Sequence, residues 1–342
     1  MRVAILYPNF VDYDGGARVA ELQAQELGEQ GNYVAIFALR ASIKPKNTDV
    51  YIIGMPQSML WERIYRLIFP LDIFRTIRWL RKLKSFDLII THQYPMTWLA
   101  YLAKRFYKVK HTVWYHGIMD PQYFPRLYER IYIRLQIFMT RLTVKNADRA
   151  VAVSKYARSE LKRYTGLDSE VIYNKIHLDK FRTGIDGSKI RSKYSLGDAP
   201  VLLFVGGLRP VKGVHLLIQA FNLLKHEIPD AKLVIVGRPD YAYYYEELKH
   251  NSDASVIFTN FIPHDDLPFY YAMCDLYVTG SLWETFNVPI VEAQACGKPV
   301  VAFDIGPHPE VINGHGILVE AGNVEKFAEA CIKKLREVRG NR

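Results

Sequence analysis

Short apolar runs rich in β-branched residues alternate with helix-length segments from one end of this 342-residue chain to the other. That alternation is the pattern of βαβ units, in which parallel strands are joined by crossover helices. In the first half the expected strands lie near residues 2–7, 33–39, 50–54, 87–91, 111–115, 149–153 and 170–173. In the second half they lie near 201–205, 232–236, 255–258, 276–279, 299–303 and 316–319. The polar stretch around Thr183–Ser195 separates the two series. The length suits two domains, each with its own core, with boundaries at 1–182 and 183–342. Both are expected to be doubly wound α/β units, whose ligands sit at the carboxyl ends of the strands.

The segment Gly280–Val301 carries the densest chemistry. A strand, Leu276–Thr279, runs into a loop bearing Glu284, followed by a helix that tolerates Pro289 in its first turn and stops at Gly297. The N–H groups near Phe286, Asn287 and Val288 would form an anion site at that helix start. Glu292 follows Glu284 by eight positions, about 12 Å along a helix. One acidic group can take sugar hydroxyls and the other a ribose. Upstream, the strand Val201–Val205 leads into Gly206-Gly207-Leu208-Arg209-Pro210-Val211-Lys212-Gly213. Glycines let backbone approach a ligand, and two cations three residues apart can neutralise a leaving anion. The loop is not a Walker motif, because no Gly-x4-Gly-Lys-Ser/Thr is present.

Together these elements resemble the nucleotide-sugar signature of retaining glycosyltransferases, specifically glycosyltransferase family 4 (glycosyl transferases group 1). The resemblance extends to the first turn, where Gly15-Gly16 after the initial strand precedes a helix expected from Val19 to Gln30. Asp12-Tyr13-Asp14 is formally an Asp-x-Asp pattern, read here as loop polarity. The family has a histidine at a strand end near the donor sugar, and His116 takes that position; His92 is a second pocket candidate. Asn174 matches the hinge segment, with Lys175 where glycine is usual, and Asn287 stands where the family often has glycine.

The resemblance implies the GT-B architecture, two Rossmann-like domains facing a central cleft that holds the active site. It implies transfer of a sugar from a nucleoside diphosphate sugar with retention, without a metal or other cofactor. Arg209 and Lys212 would hold the leaving diphosphate, Glu284 the sugar hydroxyls and Glu292 the ribose. Gly15, Gly16 and Gly207 would lie against the phosphates, His116 near the anomeric carbon, and the Asn260–Pro263 loop, with Ile262, against the base. No paired-carboxylate nucleophile stands out, which is compatible with front-face attack. A sugar-nucleotide 2-epimerase of the same architecture and a non-catalytic partner protein are the alternatives.

Charge adds what the motifs do not. Residues 1–182 hold 29 Lys and Arg against 16 Asp and Glu, or +13; residues 183–342 hold 16 against 19, or −3. A basic first half, which in this family receives the acceptor, suits an anionic partner: a lipid phosphate, an acidic glycan or a membrane surface. No nucleic-acid-binding motif is present. On a helix from Arg126 to Lys145, Arg126, Arg130, Arg134, Arg141 and Lys145 fall within an arc of about 100°. Tyr128, Ile131, Tyr132, Leu135, Phe138, Met139 and Leu142 lie beside them. Residues 60–84 form a second basic amphipathic segment. Such helices either pack their apolar side on the sheet or lie on an anionic membrane. Three dispersed cysteines, no signal peptide and no run of about 20 apolar residues point to the cytoplasm or the inner face of the cell membrane. The chain ends soon after its last expected helix, 324–339, so a helix returning to the first domain would be short or absent.

Overall fold

The computed structural model describes every residue except Asp12–Asp14, Gln57, Pro125, Asn313, His315, Asn341 and Arg342, and omits the side chains of Met59 and Leu60. The Asp12-Tyr13-Asp14 pattern therefore lies outside the described residues. The chain divides into two compact units, Met1–Lys175 and Ile176–Arg342. The division precedes the compositional boundary because Phe181 is buried in the second unit's core and Ile176 packs against it.

Among the described residues, the main sheet of the first unit has seven strands: β1 (Arg2–Leu6), β2 (Tyr33–Ala38), β3 (Asp49–Ile52), β4 (Leu88–Thr91), β5 (Lys110–Tyr115), β6 (Arg149–Ala152) and β7 (Glu170–Val171). Their order in the sheet is β3-β2-β1-β4-β5-β6-β7, with every pairing parallel. A short ribbon pairs Asn9–Phe10 with Arg40–Ala41. The helices are α1 (Gly15–Glu29), α2 (Met59–Ile68), α3 (Ile73–Leu83), α4 (Met96–Tyr107), α5 (Leu127–Val144) and α6 (Lys155–Thr165). Residues 60–84 are thus two helices. Pro70 sits in the turn Phe69–Leu71 between them, and Asp72 caps the second by accepting from the Arg75 N–H at 3.1 Å.

Among the described residues, the second unit holds six strands: β8 (Val201–Val205), β9 (Lys232–Val236), β10 (Val256–Asn260), β11 (Leu276–Thr279), β12 (Val300–Phe303) and β13 (Gly316–Val319). They run parallel in the order β10-β9-β8-β11-β12-β13. Its helices are α7 (Ser188–Lys193), α8 (Val214–Glu227), α9 (Ala242–His250), α10 (Leu267–Met273), α11 (Val288–Ala295), α12 (His308–Val311) and α13 (Val324–Gly340). Among the described residues, no helix is long and apolar enough to cross a membrane.

Strand alternation sorts side chains to the two faces of each sheet. In β1, Val3 and Ile5 join α1's Ala17, Ala20 and Ala24, while Ala4 and Leu6 face α3 and α4 through Trp79, Leu80, Leu99 and Ala103. In β8, Leu202 and Phe204 pack on α8 and α13 through Leu217, Phe221 and Phe327. Val201 and Leu203 pack on α10 and α11 through Tyr271 and Ile290. Each large apolar side chain so buried contributes roughly 1.5–3 kcal/mol, which is why strands apolar on both faces settle at the sheet centres.

In each unit the chain order reverses beside the first strand, between β1 and β4 and between β8 and β11. These are topological switch points, where loops diverge and leave a crevice. In the second unit the crevice depends on glycine. At Gly213, φ is +60°, and a Cβ there would stand 1.8 Å from the Gly280 carbonyl oxygen. Gly213→Ala is expected to cost at least about 3 kcal/mol through backbone strain and overlap, read as a lower melting temperature. Gly15→Ala, where nothing among the described residues lies within 4 Å of the added methyl, should leave the melting temperature nearly unchanged. Equal melting of the two variants would refute this account.

Candidate functional site

Three loops at the carboxyl ends of β8, β9 and β11 are joined by backbone. The Leu208 N–H donates to the Arg238 carbonyl at 2.9 Å, and the Leu282 N–H donates to the Val211 carbonyl at 2.8 Å. A Cβ at Gly237 would meet the Gly206 carbonyl oxygen at 1.8 Å, and one at Gly207 would meet Asp240 Oδ2 at 2.8 Å. Side chains on these loops are therefore held in place by main chain rather than by long, flexible contacts.

The residues expected from the Gly-rich loop and from the Glu284 loop do come together. Lys212 Nζ donates to Glu284 Oε1 at 2.6 Å. Ser281 Oγ donates to the same oxygen at 2.9 Å, and Thr279 and Ser281 share a hydrogen bond at 3.1 Å. Glu284 is only 8% exposed, so its charge depends on these partners. Arg209 lies at the rim, its Nε 2.5 Å from Asp240 Oδ2, while Arg238 Nη2 reaches Asp240 Oδ1 at 3.1 Å. Lys212 and Arg209 thus each hold a carboxylate, an arrangement the sequence alone did not suggest. Beside Glu284, the Trp283 indole N–H is buried with no hydrogen-bond partner among the described residues.

Glu284 lies in the loop ahead of α11, which begins only at Val288. The helical rise therefore does not describe its separation from Glu292. Asn287 is the residue that turns loop into helix, with φ +68° and no side-chain capping bond to the helix. Asparagine tolerates this left-handed conformation almost as glycine does, which accounts for it in a position where glycine is common. Its side chain is engaged: Asn287 Nδ2 donates to His308 Nε2 at 3.0 Å, and His308 Nδ1 donates to the Phe303 carbonyl at 2.7 Å. Both bonds fix one neutral tautomer, and burial holds the His308 imidazole below its usual range. Phe286 is buried and Val288 half-buried on either side.

Glu292, 4% exposed, accepts a hydrogen bond from the Tyr271 hydroxyl at 2.7 Å. Burial raises the Tyr271 phenol well above its ordinary value, with Glu292 adding to it, so the hydroxyl remains a donor. His264 Nε2 lies 3.5 Å from the other Glu292 oxygen. This places the loop after β10, including half-buried Ile262 two residues before His264, next to Glu292. No sequence signal marked Tyr271, His264, Asp240 or His308, because each earns its place only by tertiary contact. The Gly306-Pro307-His308-Pro309 run is the one feature that could have drawn notice.

In the first unit, His92 and His116 stand just beyond the adjacent strands β4 and β5 and bond directly. His92 Nδ1 and His116 Nε2 are 2.7 Å apart, with rings stacked at 5.0 Å and 19°. His92 Nε2 lies 3.1 Å from Gln23 Oε1 of α1. With His92 donating to that amide oxygen, His92 Nδ1 accepts from the His116 Nε2–H, so the pair forms a directed chain. Tyr7, fully buried after β1, presents its ring edge to both, at 5.4 and 6.4 Å. Burial holds the His116 imidazole down at about 4. Burial, and then His116, push His92 well below its ordinary value. Gly15 and Gly16 open α1, Gly15 exposed and Gly16 half-buried. Asn174 is buried at the end of this unit, just before the exposed ion pair of Lys175 with Glu26 at 2.9 Å.

The histidine pair makes stability pH-dependent with a definite sign. Above about 6.5, the unfolded value for histidine, folding costs no proton. As pH falls towards about 4, the unfolded chain takes up protons that the folded pair refuses, so stability is lost. The urea midpoint should therefore drop between pH 6.5 and pH 4, and drop less in a His116→Gln variant; a drop of unchanged size would assign it elsewhere.

Two family models match this chain: the one described as Glycosyltransferase Family 4 over residues 13–180, and the one described as Glycosyl transferases group 1 over residues 186–338. Among curated relatives, the GDP-mannose-dependent alpha-(1-6)-phosphatidylinositol monomannoside mannosyltransferase of Mycolicibacterium smegmatis is 32% identical over 199 residues. That match takes in 54% of this chain and 52% of the relative, so the chain spans about half the relative's length. Among solved structures, Anabaena HepE in complex with UDP and glucose superposes with a TM-score of 0.84 at 20% identity, covering 99% of this chain and 91% of that one. Sucrose-phosphate synthase from Thermosynechococcus elongatus gives 0.82 at 19% identity, covering 99% and 90%. At such identities the structural likeness speaks to the fold.

Proposed function

The chain belongs to the family 4 glycosyltransferases of GT-B fold, and from that premise we propose that it transfers a hexose from a nucleoside diphosphate sugar to an acceptor with retention of configuration. The observation that carries this reading is the contact of Lys212 with Glu284 at 2.6 Å, at the switch point of the second sheet. A nucleotide sugar joins a diphosphate directly to a sugar, so its site needs a cation and a hydroxyl acceptor side by side. Lys212 and Glu284 meet that requirement. Lys212 and Arg209 take the diphosphate, Glu284 the sugar hydroxyls and Glu292 the ribose hydroxyls. The N-terminal turn of α11, from Phe286 to Val288, adds its N–H groups to the phosphates, and Gly207 lets the backbone approach them.

Gly15 and Gly16 are assigned to the donor phosphates and Ile262 to the base. His116 is assigned to the neighbourhood of the anomeric carbon, where a neutral imidazole can bond a hydroxyl without repelling developing positive charge. Charge on the departing diphosphate is met by the two cations, so the reaction proceeds without a metal. A front-face attack, in which a donor phosphate oxygen takes the acceptor proton, needs no carboxylate nucleophile. The acceptor is a glycan or a lipid-linked species at the cytoplasmic face of the membrane, in keeping with the +13 balance of residues 1–182 (29 basic minus 16 acidic). The mannosyltransferase relative is GDP-mannose-dependent by its name, and HepE was also crystallised with UDP-glucose; both donors belong in the first panel.

Calorimetry with UDP, GDP and ADP and their sugars, in the presence of a chelator, tests the assignment. One nucleotide should bind, and Arg209→Ala or Glu292→Ala should weaken it at least tenfold. Lys212→Ala should reduce transfer by about a hundredfold or more, as expected when a charge-stabilising donor is lost, while the protein still melts cooperatively. Normal turnover in Lys212→Ala would refute the roles. Conversion of donor to an isomer without acceptor would identify an epimerase, and absence of any nucleotide binding a non-catalytic protein.

A further inference from the structure

Helix α5 presents its apolar side to solvent. Its inward positions are Glu129, Ile133, Thr140, Thr143 and Val144, and several inward contacts are polar. Arg63 of α2 pairs with Glu129 at 3.0 Å, and Thr143 bonds Thr97 of α4 at 2.7 Å. Leu127, Tyr128, Ile131, Leu135, Phe138 and Leu142 are left between 46% and 69% exposed. They occupy one continuous arc of about 100°, so they form a stripe rather than scattered surface residues. Arg130, Arg134, Arg141 and Lys145, all exposed, border the stripe on one side.

The apolar side of α5 therefore does not pack on the sheet. Soluble chains seldom leave so long an apolar stripe uncovered unless something else covers it. Nearby, α2 is held to the first turn of α5 by the Arg63–Glu129 pair and carries Trp61, 60% exposed. The turn from α2 into α3 exposes Leu71, Ile73 and Phe74, the last at 91%.

We propose that this face of the first unit docks on an anionic lipid surface, with the α5 stripe entering the interface and the flanking arginines meeting lipid headgroups. Charge selects this occupant. Residues 1–182 carry +13 (29 minus 16), and the basic border lies alongside the apolar stripe, the arrangement of helices that lie in a membrane interface. A second copy joined by the same face would bring arginines against arginines. The inference deepens the proposed function, since it states where a lipid-linked acceptor is met. It is read without donor or acceptor, so either reading can fail alone.

The test is co-sedimentation of the full chain with phosphatidylcholine vesicles and with vesicles containing phosphatidylglycerol, at low and high salt, without nucleotide. Binding should be at least tenfold stronger to the anionic vesicles and should weaken with salt. The pair Leu135→Glu/Phe138→Glu should abolish it. The pair Arg134→Glu/Arg141→Glu should weaken it at least fivefold for each site, because each basic group near the surface contributes about that factor. Melting temperatures matching the parent protein would show that these exposed changes leave the fold intact. The proposal is overturned if the parent chain ignores anionic vesicles, or if neither pair alters its binding. It is also overturned if light scattering finds a dimer that the same substitutions dissolve. Donor binding measured in parallel separates a failure of docking from a failure of the glycosyl-transfer reading.

Discussion

The approach of Gly213 to Gly280 is the constraint on which the second unit's site rests. With a Cβ at Gly213 excluded by a carbonyl 1.8 Å from where it would stand, the loops after β8 and β11 lie backbone against backbone. Lys212 and Glu284 are carried on those two loops, and their separation follows from that contact. A cation and an acid brought together only by long side chains would pay rotamer entropy for every encounter. Here the main chain sets the distance, and the side chains need only extend.

The sheets were legible in the sequence, because strands buried on both faces read as unbroken apolar runs and the crossover helices space them regularly. The pairing of Gly-rich loop with Glu284 was also legible, since both follow strands on either side of a switch point. The disposition of Asn287 was not. Its backbone could be guessed from glycine's usual presence there, but its side-chain partner, His308, arrives from beyond β12. The Tyr271–Glu292 and His92–His116–Gln23 contacts escaped for the same reason: they join residues far apart in the chain, with no local pattern to announce them.

Helix α5 shows how periodicity can be read correctly and still leave its meaning open. The apolar stripe and its basic border are visible from spacing alone. Which side faces the sheet is decided by neighbours: Thr97 from α4 and Arg63 from α2 offer polar partners to the opposite side of the helix. Satisfying Glu129 and Thr143 indoors turns the leucines outward.

The ion pairs at the proposed donor site bear on kinetics. Lys212 is paired with Glu284, and Arg209 and Arg238 share Asp240, so these five side chains carry a net +1 (three cations minus two acids). An approaching anion therefore meets a positive chain, but must displace the acids already bound to Lys212 and Arg209. Capture would then be assisted by long-range attraction and slow as ionic strength rises. Discrimination among anions would lie in residence time, set by which of them can draw both cations from the acids that hold them.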